Sequence, residues 1–298
     1  MTEEHPYILY ETPEPGITRI VMYRGKAANA QDTRFLYELN AAFDRAAAAD
    51  DVRVIILAAN GKHFSAGHDI RERNHLENQD RFAPVTPFQQ HRRPGAEGRM
   101  SREEELYTGF CERWRNLPKI TIAAVQGKCV SGGLLLCWPC DLIVASDDAE
   151  FQEVTVAMGI AGVEWFAHPW EMHPRKAKEM LLTGEPIGAE EARQIGMVNR
   201  VVPRADLAEA TLLLARRIAR QPSFATKMVK QAVNGAVDAQ GRHAANQIAF
   251  ALHHLGHSHA MEVYGLPVDP GGIHASVAKT YAPGDEPFRA PAATKPAK

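Results

Sequence analysis

No stretch of this chain approaches the roughly 20 consecutive apolar residues that a bilayer-spanning helix needs. Its first residues, Met1-Thr2-Glu3-Glu4-His5, are acidic and lack the basic-then-apolar order of a secretory leader. A cytoplasmic protein with no membrane partner is therefore expected. Excess charge of either sign is also missing. Against 34 Lys and Arg stand 36 Asp and Glu, a formal net charge of −2, so nucleic acid is not an expected partner. Local basic residues can still meet a phosphorylated ligand. Cysteine is scarce, with only Cys111, Cys129, Cys137 and Cys140 present. Cys137-Trp138-Pro139-Cys140 has the spacing of a redox dithiol, but it closes the apolar helix predicted over 133–140, whereas a redox pair opens a helix after a strand. Small apolar core residues are the expected role. No second cysteine pair completes a zinc site. The composition, 45% apolar and 23% charged, is not that of a disordered or fibrous chain. At 298 residues the chain is long enough for one large core and an appendage.

Two glycine-bearing turns carry the clearest chemical signal. His63-Phe64-Ser65-Ala66-Gly67-His68-Asp69-Ile70 follows the β-branched run Val54-Ile55-Ile56-Leu57-Ala58. Cys129-Val130-Ser131-Gly132-Gly133-Leu134 follows Ile120-Thr121-Ile122-Ala123-Ala124-Val125. Small residues in a strand-to-helix turn leave backbone N–H groups unpaired and pointing one way. Brought together, two such turns form a pair of donors for a carbonyl oxygen gaining negative charge, which suggests acyl chemistry. The plain alternative is that the glycines only make tight turns.

Elsewhere, 7–10 and 17–22 read as a β-hairpin around Pro13, Pro15 and Gly16. Residues 32–49 place Phe35, Leu36, Leu39 and Phe43 at helical spacing. The proline-marked stretch 74–98 is expected to be a mobile surface loop, and Ser101-Arg102-Glu103-Glu104 a capping-box helix start. Further strands are expected over 141–145, 149–153 and 198–202, with helices over 174–182 and 189–195. Three amphipathic helices, over 206–220, 223–235 and 243–264, follow Pro203 with no strand among them. Three regions result: an α/β core over 1–202, a helical module over 203–265 for oligomerisation or as a lid, and an extended, disordered tail over 266–298. The helices need an apolar surface to pack on, either this core or a neighbouring subunit.

The two turns, with Ile122-Ala123-Ala124-Val125-Gln126-Gly127, Cys140-Asp141-Leu142, Leu182-Thr183-Gly184-Glu185 and Ala192-Arg193-Gln194-Ile195-Gly196-Met197-Val198, occur in an order and spacing that resembles the enoyl-CoA hydratase/isomerase (crotonase) superfamily. The likeness runs from about Tyr7 to Ala236. It implies an α/β spiral of ββα units with a C-terminal helical module, a homotrimer or dimer of trimers, and an acyl-CoA thioester as ligand. Coenzyme A would be part of the substrate, and no separate cofactor or metal is expected. The resemblance places the oxyanion hole at the backbone N–H groups of His68 and Gly132. The side chain of His68 is expected to lie beside the ligand or face solvent rather than act as a base. CoA contacts carry over to Lys26, at a phosphate, and to Ala28, Ala66, Asp69 and Ile70. On its own residue type, Lys26 is an ordinary solvated lysine.

This sequence departs from the family pattern at the two hydratase glutamates. Those carboxyl groups suit hydration because one takes a proton while the other gives one. Counting from Gly132 and from Phe151, their positions hold Leu135 and Thr155, neither of which titrates near neutral pH. Candidates for proton transfer are Glu164, whose neighbours Val163, Trp165 and Phe166 are expected to raise its pKa, and Glu153, on the same face as Thr155 if that segment is extended. Asp147 and Asp148 read as turn residues. His168 and Trp170 are expected to line the acyl pocket. His253 and His257 share a helix face, but with no acid or third ligand beside them in sequence a polar helix face packing on a neighbour is expected. The leading expectation is thus a lyase- or isomerase-type enzyme that stabilises a thioester enolate without two-glutamate hydration. The alternatives are a non-catalytic acyl-CoA binding protein and a superfamily C–C hydrolase that does not use CoA.

Overall fold

The computed structural model describes residues 6–272. The expected acidic leader-free start over 1–5, and the expected tail beyond 272, lie outside the described residues. The hairpin forms as expected, from β1 (Ile8–Glu14) and β2 (Ile17–Met22). Helix α1 (Thr33–Ala48) starts at Asp32, whose carboxylate accepts from the Phe35 N–H at 2.8 Å, and it buries Phe35, Leu36, Leu39 and Phe43. Strand β3 (Val54–Ala59) then leads into the first glycine turn.

Residues 74–98 were expected to be a mobile loop, and a helix was expected to start at Ser101. Both expectations need correction. A short helix α2 (His75–Gln79) lies within the stretch. The next helix begins earlier, as α3 (Ala96–Glu103), after Gly95 turns the chain at φ +70°. It continues through a π-helical segment (Glu104–Gly109) into α4 (Phe110–Arg115). Ser101 sits inside this helix, its hydroxyl accepting from the Gln90 N–H at 2.8 Å. The loop is anchored by Glu105, a fully buried carboxylate that accepts from the Tyr37 hydroxyl and from the N–H groups of Val85 and Thr86, at 3.0, 2.7 and 2.8 Å.

Strands β4 (Ile120–Val125) and β5 (Lys128–Val130) precede the second glycine turn and the short helix α5 (Leu134–Cys137). They are followed by β6 (Leu142–Ser146), β7 (Glu150–Gln152), α6 (His168–Glu171), α7 (Pro174–Thr183), β8 (Ile187–Gly188), α8 (Ala189–Gln194) and β9 (Arg200–Val202). The large sheet has the order β1-β2-β3-β4-β6-β9 and is parallel from β2 onward, while β5-β7-β8 form a second, smaller sheet. Each turn of the chain gives one strand to the large sheet and the next to the small one, as β4 then β5 and β6 then β7. Ser65, bridged to Cys129, places the first glycine turn in the same series after β3. This is the α/β repeat that the resemblance implies.

The main core fills one face of the large sheet with α1, α4 and α5. On the other face α9 (Leu207–Ala219) buries Leu207, Leu214 and Ala215 against Ile17, Val54, Ile56, Ile122 and Val144. The helices α10 (Ser223–Ala239) and α11 (Arg242–Tyr264) complete the C-terminal region. Residues 266–272, expected to be extended tail, instead fold back, with Asp269 N–H donating to Met158 O at 2.9 Å. The buried cysteines form no disulfide. The Cys137 sulfur lies 3.8 Å from that of Cys129, and burial raises the Cys137 thiol well above the usual range. No described helix is long and apolar enough to cross a membrane.

Replacing Glu105 with alanine strips three donors of one buried, charged acceptor. The expected effect is a loss of roughly 2–3 kcal/mol in urea unfolding, with faster amide exchange at Val85 and Thr86. Unchanged protection of both amides would show that the loop is held by other contacts.

Candidate active site

The two glycine turns are hydrogen-bonded side by side. Ser65 N–H donates to Lys128 O at 3.2 Å, and Val130 N–H donates back to Ser65 O at 3.0 Å. On its other edge the first turn pairs with Gln31: Gln31 N–H donates to Gly67 O and Asp69 N–H to Gln31 O, both at 2.9 Å. That pairing uses the groups flanking His68 and leaves the His68 N–H unused. The second turn lies directly against it, since a methyl group added at Gly132 would stand 3.1 Å from the His68 nitrogen and 2.7 Å from its ring. Only glycine permits this approach. The His68 and Gly132 amides, the expected oxyanion donors, are therefore adjacent.

Gln31 fixes their separation. Its buried side-chain NH2 donates to Gly132 O at 2.7 Å and to Ser65 Oγ at 3.3 Å, so one residue binds both turns. Ser131, just before Gly132, holds a left-handed φ of +44° that is unfavourable for a non-glycine residue. Its hydroxyl donates to Glu153 Oε1 at 2.9 Å, and the same oxygen accepts the Thr155 N–H at 3.0 Å. Glu153 is fully buried, with His168 Nε2 3.6 Å away. Burial pushes its carboxyl up, but His168, the Thr155 N–H and Ser131 together hold it below the ordinary range.

A cavity of about 490 Å³ opens beside the turns, lined among others by Gln31, His68, Asp69, Tyr107, Thr155 and Glu164. Glu164 is 4% exposed, and His68 Nε2 lies 3.1 Å from its Oε2. The His68 ring packs on Tyr107 with centroids 4.1 Å apart. Tyr107 comes from the π-helical segment, a distortion that re-aims side chains. Burial does push the Glu164 carboxyl up, as expected from its apolar neighbours. The charge and hydrogen bond of His68, with His253 behind it, outweigh burial and hold the group below the usual carboxylate range. The expected upward shift is corrected on that ground.

Of the expected proton-transfer pair, the structure brings Glu164 to the cavity and not Glu153. Glu153 does not share an extended face with Thr155, because a 3-10 turn (Thr155–Met158) starts there and the carboxylate folds back onto Ser131. Leu135 is buried in the main core, while Thr155 lines the cavity with its buried hydroxyl unpartnered. The expectation that His168 and Trp170 line the acyl pocket is also corrected. His168 packs edge-on to Trp138 at 4.8 Å, and Trp170 lines a separate groove with Val229 and Val233. Among the expected CoA contacts, Asp69 and the exposed Ile70 line the cavity, although Arg24 holds the Asp69 carboxylate at 2.8 Å. Ala28 and Ala66 adjoin each other through Ala66 N–H to Ala28 O at 2.9 Å, and Lys26 is exposed on the preceding turn (Gly25–Ala27).

His253 and His257 do not form a polar outer face. They point inward to the cavity wall, where Glu103 supplies the acid that sequence proximity does not show. These three are the one group among the described residues whose ligand atoms lie close enough together to hold a metal ion. Sequence reasoning missed Gln31, Glu103 and Tyr107 as site residues. Glu103 carried a signal, but one that pointed to helix capping.

The match to the enoyl-CoA hydratase/isomerase family model spans residues 12–266. EchA13 of Mycobacterium tuberculosis, which bears an enoyl-CoA hydratase name, is 46% identical over 277 residues, covering 91% of this chain and 86% of that protein. A 4-chlorobenzoyl coenzyme A dehalogenase from Arthrobacter is 30% identical, covering 83% of this chain and 85% of that one. A crystal structure of a probable enoyl-CoA hydratase from Mycobacterium smegmatis superimposes with a TM-score of 0.79 at 49% identity, over 88% of this chain and 98% of that one. With this extent of likeness, and with the paired turns in place, the chain belongs to the enoyl-CoA hydratase/isomerase family and has the crotonase fold.

Proposed function

We propose that the protein binds an acyl-CoA thioester and moves a proton at the carbon next to its carbonyl. The N–H groups of His68 and Gly132 hold the thioester oxygen as it becomes an enolate, and Glu164 takes the proton. The observation that supports this most is that the two turn amides adjoin each other and that the ring of His68, which lines the cavity, engages the buried Glu164 carboxylate. Backbone donors fixed in advance stabilise the developing oxyanion without rearrangement. The carboxylate is steered by His68, which donates to one of its oxygens.

Hydration by two glutamates is not part of this reading. Leu135 is packed in the core and offers no titrating group, and Thr155 offers only a hydroxyl. A family relative is named for a different reaction on a coenzyme A thioester, dehalogenation of a chlorobenzoyl group, so a family name alone does not imply hydration. The buried Leu135 also favours the non-catalytic acyl-CoA binder as the second reading, in which the paired amides hold a ligand that is never transformed.

Self-association as a trimer or a dimer of trimers is proposed for the assembly, and the cytoplasm for its location. Phe224, Val229 and Val233 on α10 are 74, 65 and 58% exposed, an apolar face that a solvated surface does not favour. A groove of about 640 Å³ runs beside it, lined by Trp138, Trp170, Val229 and Val233.

Incubation with saturated acyl-CoAs in D2O tests the proton-transfer step directly. Mass spectrometry is expected to show deuterium entering the acyl chain, and Glu164→Gln is expected to slow this by about a hundredfold or more while binding persists. Tight calorimetric binding with no exchange or product across a panel of chain lengths would establish the binder instead. Hydration of crotonyl-CoA at a rate within about tenfold of an ordinary hydratase, retained in both Glu153→Gln and Glu164→Gln, would overturn this account of the site.

Lys26→Ala is expected to weaken CoA-thioester affinity roughly fivefold or more at low salt, less at high salt, through a lost phosphate contact. Absence of any CoA affinity, in wild type and variant alike, would point to the hydrolase alternative. Light scattering after gel filtration should give the mass of three or six chains, and Val229→Glu with Val233→Glu should lower it. A monomeric wild type would refute the assembly.

A further inference from the structure

Beyond the oxyanion turns, the far wall of the cavity carries a second cluster that thioester chemistry does not require. His253 Nδ1 lies 2.7 Å from Gly162 O, and His257 Nδ1 lies 2.5 Å from Pro267 O. A carbonyl oxygen only accepts, so both Nδ1 atoms carry their hydrogens. The two Nε2 atoms are then the free ends of both rings, and they face each other at 3.0 Å. In two neutral imidazoles these ends are lone pairs, and at that distance they repel. A proton on one ring or a metal ion between the two removes that repulsion.

Glu103 stands at the same point. Its Oε2 lies 3.2 Å from His253 Nε2, and its Oε1 3.9 Å from His257 Nε2. His254 Nε2 lies 3.1 Å from the same Oε2, yet none of these approaches has hydrogen-bond geometry, and both Oε2 and His254 Nε2 are buried without a hydrogen-bond partner. A second buried carboxylate, Glu164, has its Oε1 3.8 Å from His253 Nε2. A shared proton would relieve the pair of nitrogens, but Glu103 would then depend on His254 for a donor to that oxygen. A doubly charged ion would satisfy both nitrogens and the carboxylate together, and would balance two buried negative charges.

We propose that Glu103, His253 and His257 bind a divalent transition-metal ion of the zinc class on the cavity wall, with an open coordination position toward the cavity. The spacing fits. With metal–nitrogen bonds of about 2.0–2.1 Å, two nitrogens on one ion stand roughly 2.9–3.4 Å apart for right-angled to tetrahedral arrangements. The surroundings fit as well, since imidazoles that ligate metals characteristically donate their other N–H to a backbone carbonyl, which sets tautomer and ring orientation. Both rings do so here. Two imidazoles and one carboxylate favour zinc, cobalt or ferrous iron over magnesium or calcium, which prefer all-oxygen ligands. Three protein ligands leave a position for an oxygen ligand beside Glu164 and His68.

Binding can be read without any turnover assay. The full chain, stripped with chelator and dialysed, is titrated with Zn2+ by calorimetry and with Co2+ by visible absorption. One ion per chain is expected, with a cobalt spectrum of a low-coordinate nitrogen–oxygen site. His257→Gln and Glu103→Gln should each weaken binding at least about a hundredfold, since even outer partners of metal ligands are worth tenfold to a hundredfold. Circular dichroism confirms that each variant folds, and two independent variants guard against one that does not. His173→Gln, at an exposed histidine, should bind as the wild type does. No saturable uptake by the folded wild type, or uptake unchanged in both ligand variants, overturns the proposal. Either outcome leaves the thioester reading standing, because that reading is tested by exchange at the acyl chain.

Discussion

The side chain of Gln31 fixes the geometry on which this site depends. Its NH2 group binds the carbonyl of Gly132 and the hydroxyl of Ser65, while its backbone pairs with the residues on either side of His68. The His68 and Gly132 amides lie on turns far apart in sequence, and no helix or continuous strand connects them. Their separation is therefore set by this one buried amide and by the short Ser65–Cys129 bridge. A hydrogen bond of this kind contributes only about 1 kcal/mol net to stability, yet leaving a buried carbonyl unpaired costs about 1–3 kcal/mol. That asymmetry makes the register of the two turns stiff. Preorganisation of the donors follows from it.

The same logic explains why two nearby glutamates differ in role. Ser131 adopts a left-handed conformation that costs of order 1–3 kcal/mol for a non-glycine residue. Glu153 offsets this by accepting from Ser131 and from the following turn at Thr155, and with those bonds made it faces away from the cavity. It holds the backbone beside the Gly132 amide. Glu164 has no such task. Its carboxylate is engaged by His68, and the two side chains reach the cavity together.

Much of the fold was legible because periodicity is local. The hairpin, α1, the parallel strands and the three C-terminal helices all fall where their apolar spacing puts them. Elements set by distant partners were not legible. The stretch over 74–98 reads as a loop from its prolines, but Glu105 binds its backbone from the helix that begins at its end, at Ala96. The adjoining pair of turns was legible because two similar turns recur in similar context. Glu164 does line the cavity, but the direction of its pKa shift was not legible, since its apolar sequence neighbours say nothing of His68. Gln31 gave no signal, because a lone glutamine before a helix cap looks like any other. The inward turn of His253 and His257 was hidden for the same reason: their partner Glu103 lies on another helix.

The cavity thus has two chemically different ends. At one, backbone amides held by Gln31 and Glu153 offer partial positive charge that cannot titrate. At the other, Glu164, Glu103 and two imidazoles are packed into a buried space where ionised groups are tolerated only when paired. The amide end follows from turn geometry, which the whole fold enforces through its strands. The charged end follows from where α3 and α11 meet, and changes of one or two residues there leave the strands untouched. On the proposed reading, what becomes of a thioester, as distinct from how it is held, is therefore set by the side chains that α3, α11 and the Glu164 loop bring to that wall.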